Sequence, residues 1–219
     1  MMRATLAFAC LLGLAAPAAA KEQPLPPVPD DLSIQVVHNF AACVADTTPR
    51  GAKSLLAMDY RDEAYKKALA RLAQGHEDGR CMNASILRSN YVLISGGLAE
   101  RLLIGTVKPE RFASLVAYDA AKASIEARGP LELTSICVVR AEPDKTFAIF
   151  RTEPTSTDEG HAMQAIAPTL MNCIKAGQKI AFNKPGLRAL LALASYRLVQ
   201  PGPIASAAAK PIVGEPGSR

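Results

Sequence analysis

The chain has 219 residues, of which 49% are hydrophobic, and a formal net charge of +5. This length suffices for one hydrophobic core or for two small ones. Because the basic residues alternate with acidic ones, without a basic run or a basic–aromatic platform, we exclude a nucleic-acid-binding protein.

The N-terminal 20 residues have the pattern of a secretory signal peptide. Arg3 is a short positive region, residues 4–16 are apolar, and Ala18-Ala19-Ala20 provides small residues for cleavage before Lys21. The apolar run is shorter than the roughly 20 residues that a spanning helix needs, and no later segment is apolar for long enough. We therefore predict an exported bacterial protein, periplasmic or extracellular, with no membrane span after leader cleavage.

Two segments have the composition of unstructured chain. Residues 21–32 begin KEQPLPPVPD and form a proline-rich linker, since closely spaced prolines favour the extended polyproline conformation. Residues 200–219 are rich in proline, glycine and small residues and have no periodic apolar face, so we predict a flexible tail.

Four cysteines follow the leader and mark an internal repeat. Cys43 and Cys81 are 38 positions apart, and Cys137 and Cys173 are 36 apart. CVADTTPRGAKSLL begins at the first of them and CVVRAEPDKTFAIF at the third, each with valine next and proline six positions on. A repeat of this length predicts two structural copies of one unit.

In an exported protein these four cysteines indicate two disulfides. Three pairings are possible. Short loops favour Cys43–Cys81 and Cys137–Cys173, one per copy, and closing such a loop stabilises a fold by roughly 4 kcal/mol. Thiol redox chemistry and zinc binding are the alternatives, but the chain has no C-x-x-C and no Cys/His pair at zinc-ligand spacing.

Copy one covers residues 33–107 and reads as a series of amphipathic helices. Ser33 is the predicted cap of the first helix, and Pro49 begins the second, where its missing N–H costs nothing. A third helix ends near Gly75, and Ser89 is the predicted cap of an apolar closing helix. Within that helix, Gly96-Gly97 predicts a close approach to a neighbouring helix.

Copy two covers residues 131–199 and repeats the same order after a connector, residues 108–130, that we expect to be partly helical. Its first segment, LELTSICVVRAE, contains β-favouring residues, but its alignment with copy one predicts a helix. Pro143 then begins the second helix, as Pro49 does in copy one. The closing helices align without gaps and share Arg101 with Arg197. We expect this pair to cap or brace the last helical turn, and contact with a partner or binding of an anion are the alternatives.

No sequence motif assigns a catalytic, cofactor-binding or metal-binding residue. The chain has no G-x-S-x-G, S-x-x-K, P-loop, H-x-x-x-H or EF-hand spacing. Of the three histidines, His76 begins a polar loop, HEDGR, in which we expect a solvated side chain. His38 and His161, with nearby carboxylates, are the first candidates for any site in the groove between the copies.

The unit C-V-x(4)-P, apolar helix, second cysteine and leucine-rich helix resembles a group of uncharacterised secreted proteins of alphaproteobacteria with one or two such copies. The resemblance covers about residues 40–199 and rests on eight positions: Cys43, Val44, Pro49, Cys81, Cys137, Val138, Pro143 and Cys173. It implies the fold and the exported location, and no activity.

The sequence thus predicts an all-α protein of two tandem helical repeat units, each with one intra-repeat disulfide. Its predicted function is that of a non-catalytic exported interaction module without a cofactor. The sequence identifies no partner, although an envelope protein is one candidate. The alternative is an enzyme or small-ligand binder with a site in the groove between the copies.

Overall fold

Helices make up all of the regular structure in the part of the chain that the computed structural model describes, residues 30–75, 80–82, 89–120 and 125–200. The predicted all-α class is confirmed, and the segment around Cys137 is a helix rather than a strand. The nine helices within these residues are α1 (Asp31–Thr47), α2 (Pro49–Leu56), α3 (Glu63–Gln74), α4 (Tyr91–Thr106), α5 (Pro109–Val116), α6 (Pro130–Ala141), α7 (Pro143–Phe150), α8 (Thr157–Cys173) and α9 (Lys184–Val199).

Several predicted elements lie outside the described residues. The leader, most of the linker, the tail after residue 200, the loop that begins at His76 and residues 83–88 belong to this set. At the end of the predicted linker, Asp31 and Leu32 are already helical. None of the helices in the described part of the chain is both long enough and apolar enough to cross a membrane.

Two helix caps differ from the predicted ones. Asp30, rather than Ser33, caps α1, and its carboxylate accepts the backbone N–H of Ser33 at 2.7 Å. Asn90, rather than Ser89, caps α4 through the N–H of Val92. A carboxylate at Asp30 is a stronger partner than a serine hydroxyl for the partly positive start of a helix.

The turns that follow the two helices α1 and α6 have the same backbone conformation. Thr48 has φ −133° and ψ 57°, and Glu142 has φ −134° and ψ 60°. Each residue precedes a proline, which disfavours the helical conformation at the preceding position. Each also donates its N–H to the carbonyl four residues earlier, at 2.9 and 2.8 Å, so both chains turn without losing that hydrogen bond.

Both disulfides of the favoured pairing are present. The Cα atoms of Cys43 and Cys81 are 5.6 Å apart, and those of Cys137 and Cys173 are 5.7 Å apart. The first bond ties α1 to the segment that precedes α4. The second ties α6 to the last residue of α8.

The helices α4 and α9 form the centre of the fold. They pack against each other, α1 packs on α4, and α6 packs on α9. Both central helices are apolar on nearly all sides, which is typical of helices surrounded by protein. Side chains of both are completely removed from solvent: Leu98, Ala99, Leu191, Ala192 and Ala194.

The predicted close approach at the glycine pair is present. A Cβ atom on Gly96 would lie 2.4 Å from the Cα of Ala189 in α9, and one on Gly97 would lie 2.7 Å from the Cβ of Ala41 in α1. Real Cβ atoms do not approach other atoms so closely. The two glycines therefore let α4 pack against two neighbours at once.

We expect Gly96→Ala to destabilise the protein by about 1 to 3 kcal/mol, because the new methyl group meets the backbone of α9. Gly105→Ala is the matched control in the same helix, since a Cβ there has nothing within 4 Å. Alanine's higher helix propensity should raise the stability of this control by up to about 1 kcal/mol. Urea unfolding of both variants measures the difference, and equal effects would contradict the assigned packing.

Candidate functional site

A small cleft opens where α1, α4, the start of α9 and the segment between α7 and α8 meet. Its floor carries four polar side chains: His38, Glu100, Glu159 and Arg188. Its walls are apolar and are formed by Ile34, Val37, Leu93, Pro154, Pro185 and Ala189. About 30 Å³ is open to the centres of water-sized molecules, which is room for about two waters.

The Arg188 guanidinium is the hub of the polar floor, and only 5% of its side chain is exposed. Its Nε and Nη2 donate to the two carboxylate oxygens of Glu100 at 2.8 and 2.7 Å. Its Nη1 donates to Glu159 at 2.8 Å and to the Thr152 hydroxyl at 3.2 Å, and Nη2 also reaches the Thr152 carbonyl at 2.8 Å. These contacts use all five N–H groups of the guanidinium, so Arg188 holds helices together and has no donor left for a ligand.

Glu100 is ionised in this cluster. Burial disfavours its charged form, but hydrogen bonds from His38 and Arg188, together with their charges, outweigh the burial and lower the pKa of Glu100 below its usual 4.5. A buried carboxylate that both a guanidinium and an imidazole satisfy in this way is a structural anchor at neutral pH.

His38 donates from Nε2 to Glu100 at 2.9 Å, because an ionised carboxylate can only accept. The imidazole Nδ1 is buried, and no partner for it exists within the described residues. A buried polar atom without a partner is uncommon and indicates a position that water or a ligand can satisfy. His38 is therefore the polar group of the cleft whose hydrogen-bonding capacity is not fully used.

The second predicted histidine is not part of this site. His161 is exposed on α8 and does not line the cleft. Its neighbour Glu159, which lies on the inner side of the same helix, is the carboxylate that reaches Arg188. The prediction named His161 together with its nearby carboxylates, and one of those carboxylates, Glu159, lines the cleft while the histidine does not.

A strained residue borders the cleft. Thr155 has φ 68°, a conformation that β-branched residues rarely adopt. Its N–H is held by Glu159 at 2.7 Å, and its hydroxyl accepts from the Gln35 side chain of α1 at 2.8 Å. Glu159 thus fixes both Arg188 and this loop, so one buried carboxylate shapes the floor and the rim of the cleft.

Glu132 is the centre of a second buried ionic group. Its carboxylate accepts from Arg197 of α9 and from the backbone N–H of Arg128. The Arg128 guanidinium lies 3.9 Å from Asp59 and faces the ring of Tyr60 at 5.5 Å. This group joins α6 and α9 to the segment before α3.

Asp59 is held in its charged form at the edge of that second group. Hydrogen bonds from Arg61 lower the pKa of Asp59 to about 2, with a smaller contribution from the charge of Arg128. Arg61 in turn donates to the carbonyl of Arg128 at 2.8 Å.

The two arginines that the repeat alignment paired both form ion pairs with carboxylates of a preceding helix. Arg101 donates to Asp46 of α1 at 2.8 Å, with about half of each side chain exposed. Arg197 meets the buried Glu132 of α6. Arg197 lies in the last turn of α9, as expected of a residue that braces a helix end, whereas Arg101 does not lie in the last turn of α4.

A wider concavity, the α2–α3 groove, lies on another face. It is an open groove of about 300 Å³. The residues that line it are Gly51, Ser54, Leu55, Met58, Ala68, Arg71 and Leu72. Its floor is apolar, and no sequence motif predicted it, because its walls come from two short helices whose packing the sequence does not specify.

Glu100 and Arg188 are the site residues that sequence analysis missed. Arg188 is the single charge of the helix segment PGLRALLALA, and Glu100 shares the otherwise apolar segment SGGLAERLLIG only with Arg101. Such a charge predicts a buried partner, because an unpaired buried charge costs several kcal/mol. That signal was available, although it does not identify the partner.

Within the described residues, no group of three or more histidine, cysteine, aspartate and glutamate side chains can hold a metal ion. Comparisons of the chain with protein-family models, with curated proteins and with solved structures found no match.

We expect Glu100→Gln to destabilise the protein by about 3 to 5 kcal/mol at pH 7, because it leaves Arg188 without its bidentate partner. The pKa of Glu100 is lowered on folding, so its contribution is present above pH 4.5 and is lost as the pH falls below that value. The variant should therefore lose stability less steeply than the wild type below pH 4.5. Urea unfolding across this pH range measures both effects.

Arg101→Gln is the control for this substitution. It removes the neighbouring, exposed ion pair with Asp46 and should cost at most about 1 kcal/mol. Equal losses in the two variants would show that the Arg188 cluster does not anchor the helices.

Proposed function

We propose that this chain is an exported, non-catalytic interaction module built from two tandem helical copies. Export is supported by the leader sequence and by the two disulfides, since structural disulfides belong to oxidising compartments. On this proposal the protein is periplasmic or secreted, and it belongs with the alphaproteobacterial secreted proteins whose cysteine and proline pattern it resembles.

The order and geometry of the helices support two copies, α1–α4 and α6–α9, with α5 in the connector. In each copy the first helix carries the first cysteine and ends at a residue with the same unusual backbone angles. The second helices have eight residues each and begin with proline, and the closing helices have 16 residues each. The spacing of these features matches the alignment of the cysteines.

The α2–α3 groove is the observation that favours an interaction module. An apolar groove that remains open on a surface marks a place where another molecule can bury apolar area. One basic side chain, Arg71, lines the groove, and its other lining residues are apolar or small rather than a set of catalytic groups.

A site-specific crosslinking experiment tests this function. The protein, purified from the periplasm with a photocrosslinking residue at Ser54, is irradiated with native envelope extract. We expect one or a few discrete adducts with the disulfide-bonded protein and none after reduction and alkylation. The same residue at exposed Ser114 of α5 is the position control. Absence of any discrete adduct across detergents and salt concentrations would contradict the proposal.

The cleft supports a second candidate, a small-ligand binder or enzyme with its site between the copies. Its polar residues are specific to one copy, because Glu100 aligns with Tyr196 and Arg188 aligns with Val92. His38 contributes a buried nitrogen without a partner in the described structure. A ligand there must be small, or must insert only one polar group.

A thermal-shift screen of small polar compounds tests this candidate. A compound that binds in the cleft should raise the Tm of the wild type, and His38→Ala should abolish that rise because it removes the Nδ1 contact. His161→Ala is the matched control, since His161 does not line the cleft. A rise that survives in the His38 variant, or no rise with any compound, would exclude the cleft as a binding site.

A further inference from the structure

The floor of the α2–α3 groove is formed by apolar side chains, and α3 packs chiefly on α2. Leu55 is buried, while Met58 and Leu72 are only partly covered. The small residues Gly51 and Ala68 leave the space between the helices unfilled. A side chain at position 51 would come within 3.2 Å of Leu72, so the glycine also lets the two helices meet at the base of the groove.

The surface of the same two helices is basic. Together α2 and α3 carry five basic residues, namely Arg50, Lys53, Lys66, Lys67 and Arg71, and one acidic residue, Glu63. Glu63 pairs with Lys66 at 2.5 Å. Arg50, Lys67 and Arg71 are exposed and form no ion pair with any residue that the structure describes.

The corresponding helices of copy two lack both properties. At the positions of Arg50, Lys67 and Arg71 copy two has Asp144, His161 and Ala165. No lysine or arginine occurs in α8. The counterpart of Leu72 is Ile166, which is completely buried because α8 packs on both α6 and α7. A unit of this kind can therefore fold without the groove and without the exposed cations beside it, Arg50, Lys67 and Arg71, which we call the cationic rim.

We propose that the α2–α3 groove binds an acidic amphipathic helix of a partner protein; this inference rests on the proposed interaction module and names its partner class. The apolar face of the partner covers Leu55, Met58 and Leu72, as ridges of side chains fit between two helices. Its acidic residues meet Lys67 and Arg71, which lie one helical turn apart on the solvent side of α3. An open groove suits a helix better than a small ligand, which needs a concave site that encloses most of its surface.

The test uses a labelled helical peptide of about five turns, with leucines at positions i, i+3, i+4 and i+7 and glutamates elsewhere. Binding to the disulfide-bonded protein is followed by fluorescence anisotropy. We expect the acidic peptide to bind, to bind more weakly at high salt, and to bind better than the same peptide with lysines in place of glutamates.

Charge reversal at the rim locates the binding site. Lys67→Glu with Arg71→Glu should weaken binding of the acidic peptide by about tenfold or more. Lys175→Glu with Lys179→Glu makes the same change in net charge at two exposed lysines after α8 and should leave binding within about twofold. Ser54→Trp, which fills the groove without changing the charge, should also weaken binding. Circular dichroism confirms that each variant is folded.

Four outcomes would overturn the proposal. The first is equal binding of the acidic and basic peptides, and the second is binding of the acidic peptide that neither groove variant weakens. The third is binding of decanoate when neither peptide binds, which would assign the groove to a small anionic amphiphile. The fourth is a homodimer that the Lys67/Arg71 substitutions dissociate, which would assign the groove to a second copy of the chain. Envelope adducts that persist in the Lys67/Arg71 variant would leave the interaction module standing and refute only this assignment.

Discussion

The contact between α4 and α9 determines where the other helices lie. Gly96 brings the backbone of α4 against Ala189, one residue after Arg188. Glu100 is one helical turn beyond Gly96, so the same approach places its carboxylate against the guanidinium in a bidentate pair. A wider spacing between the helices would separate both charges from their partners. Close packing and ion pairing therefore stabilise a single arrangement of the two central helices.

The buried ion pair between Glu100 and Arg188 specifies the register of α9 against α4 and adds little net stability. A buried ion pair recovers little more than the free energy of removing its two charges from water, so an apolar pair of similar volume can be as stable. A shift of α9 by one residue would, however, separate the buried Arg188 guanidinium from both of its carboxylate partners, Glu100 and Glu159. Since α4 and α9 are apolar on nearly all sides, hydrophobic contact alone would tolerate several registers. The cluster removes that ambiguity, and the glycine contact reinforces it.

The fold was predictable from the sequence where local signals agreed with the repeat. Val138 and Val139 favour a strand by themselves, yet their alignment with α1 correctly predicted a helix. The disulfide pairing followed from loop length. The caps were less certain because Asp30 and Ser33 are both good cap residues within one turn, and the charge of the aspartate decided between them.

The candidate site was harder to predict because its residues are distant in sequence. Glu100 and Arg188 are 88 positions apart. Neither belongs to a motif, and only the three-dimensional contact of α4 with α9 brings them together. His38 was identified because it is one of three histidines in the chain. His161 shares a helix turn with Glu159, but the two side chains differ in exposure, which composition and spacing do not show.

If the two copies share one ancestral unit, the features that both copies have are those that folding requires. The features that only one copy has are then candidates for a role in function. The turn before each proline, the disulfide and the central helix serve folding, and both copies have them. The third helix differs: α8 buries Ile166 and closes over its core, whereas α3 leaves Leu72 partly covered below exposed cations. Covering the Leu72 side chain would raise the free energy of unfolding of copy one, so folding does not explain why the groove is open. On the proposed function, binding of a partner there would recover that free energy, which places the proposed interaction surface in copy one.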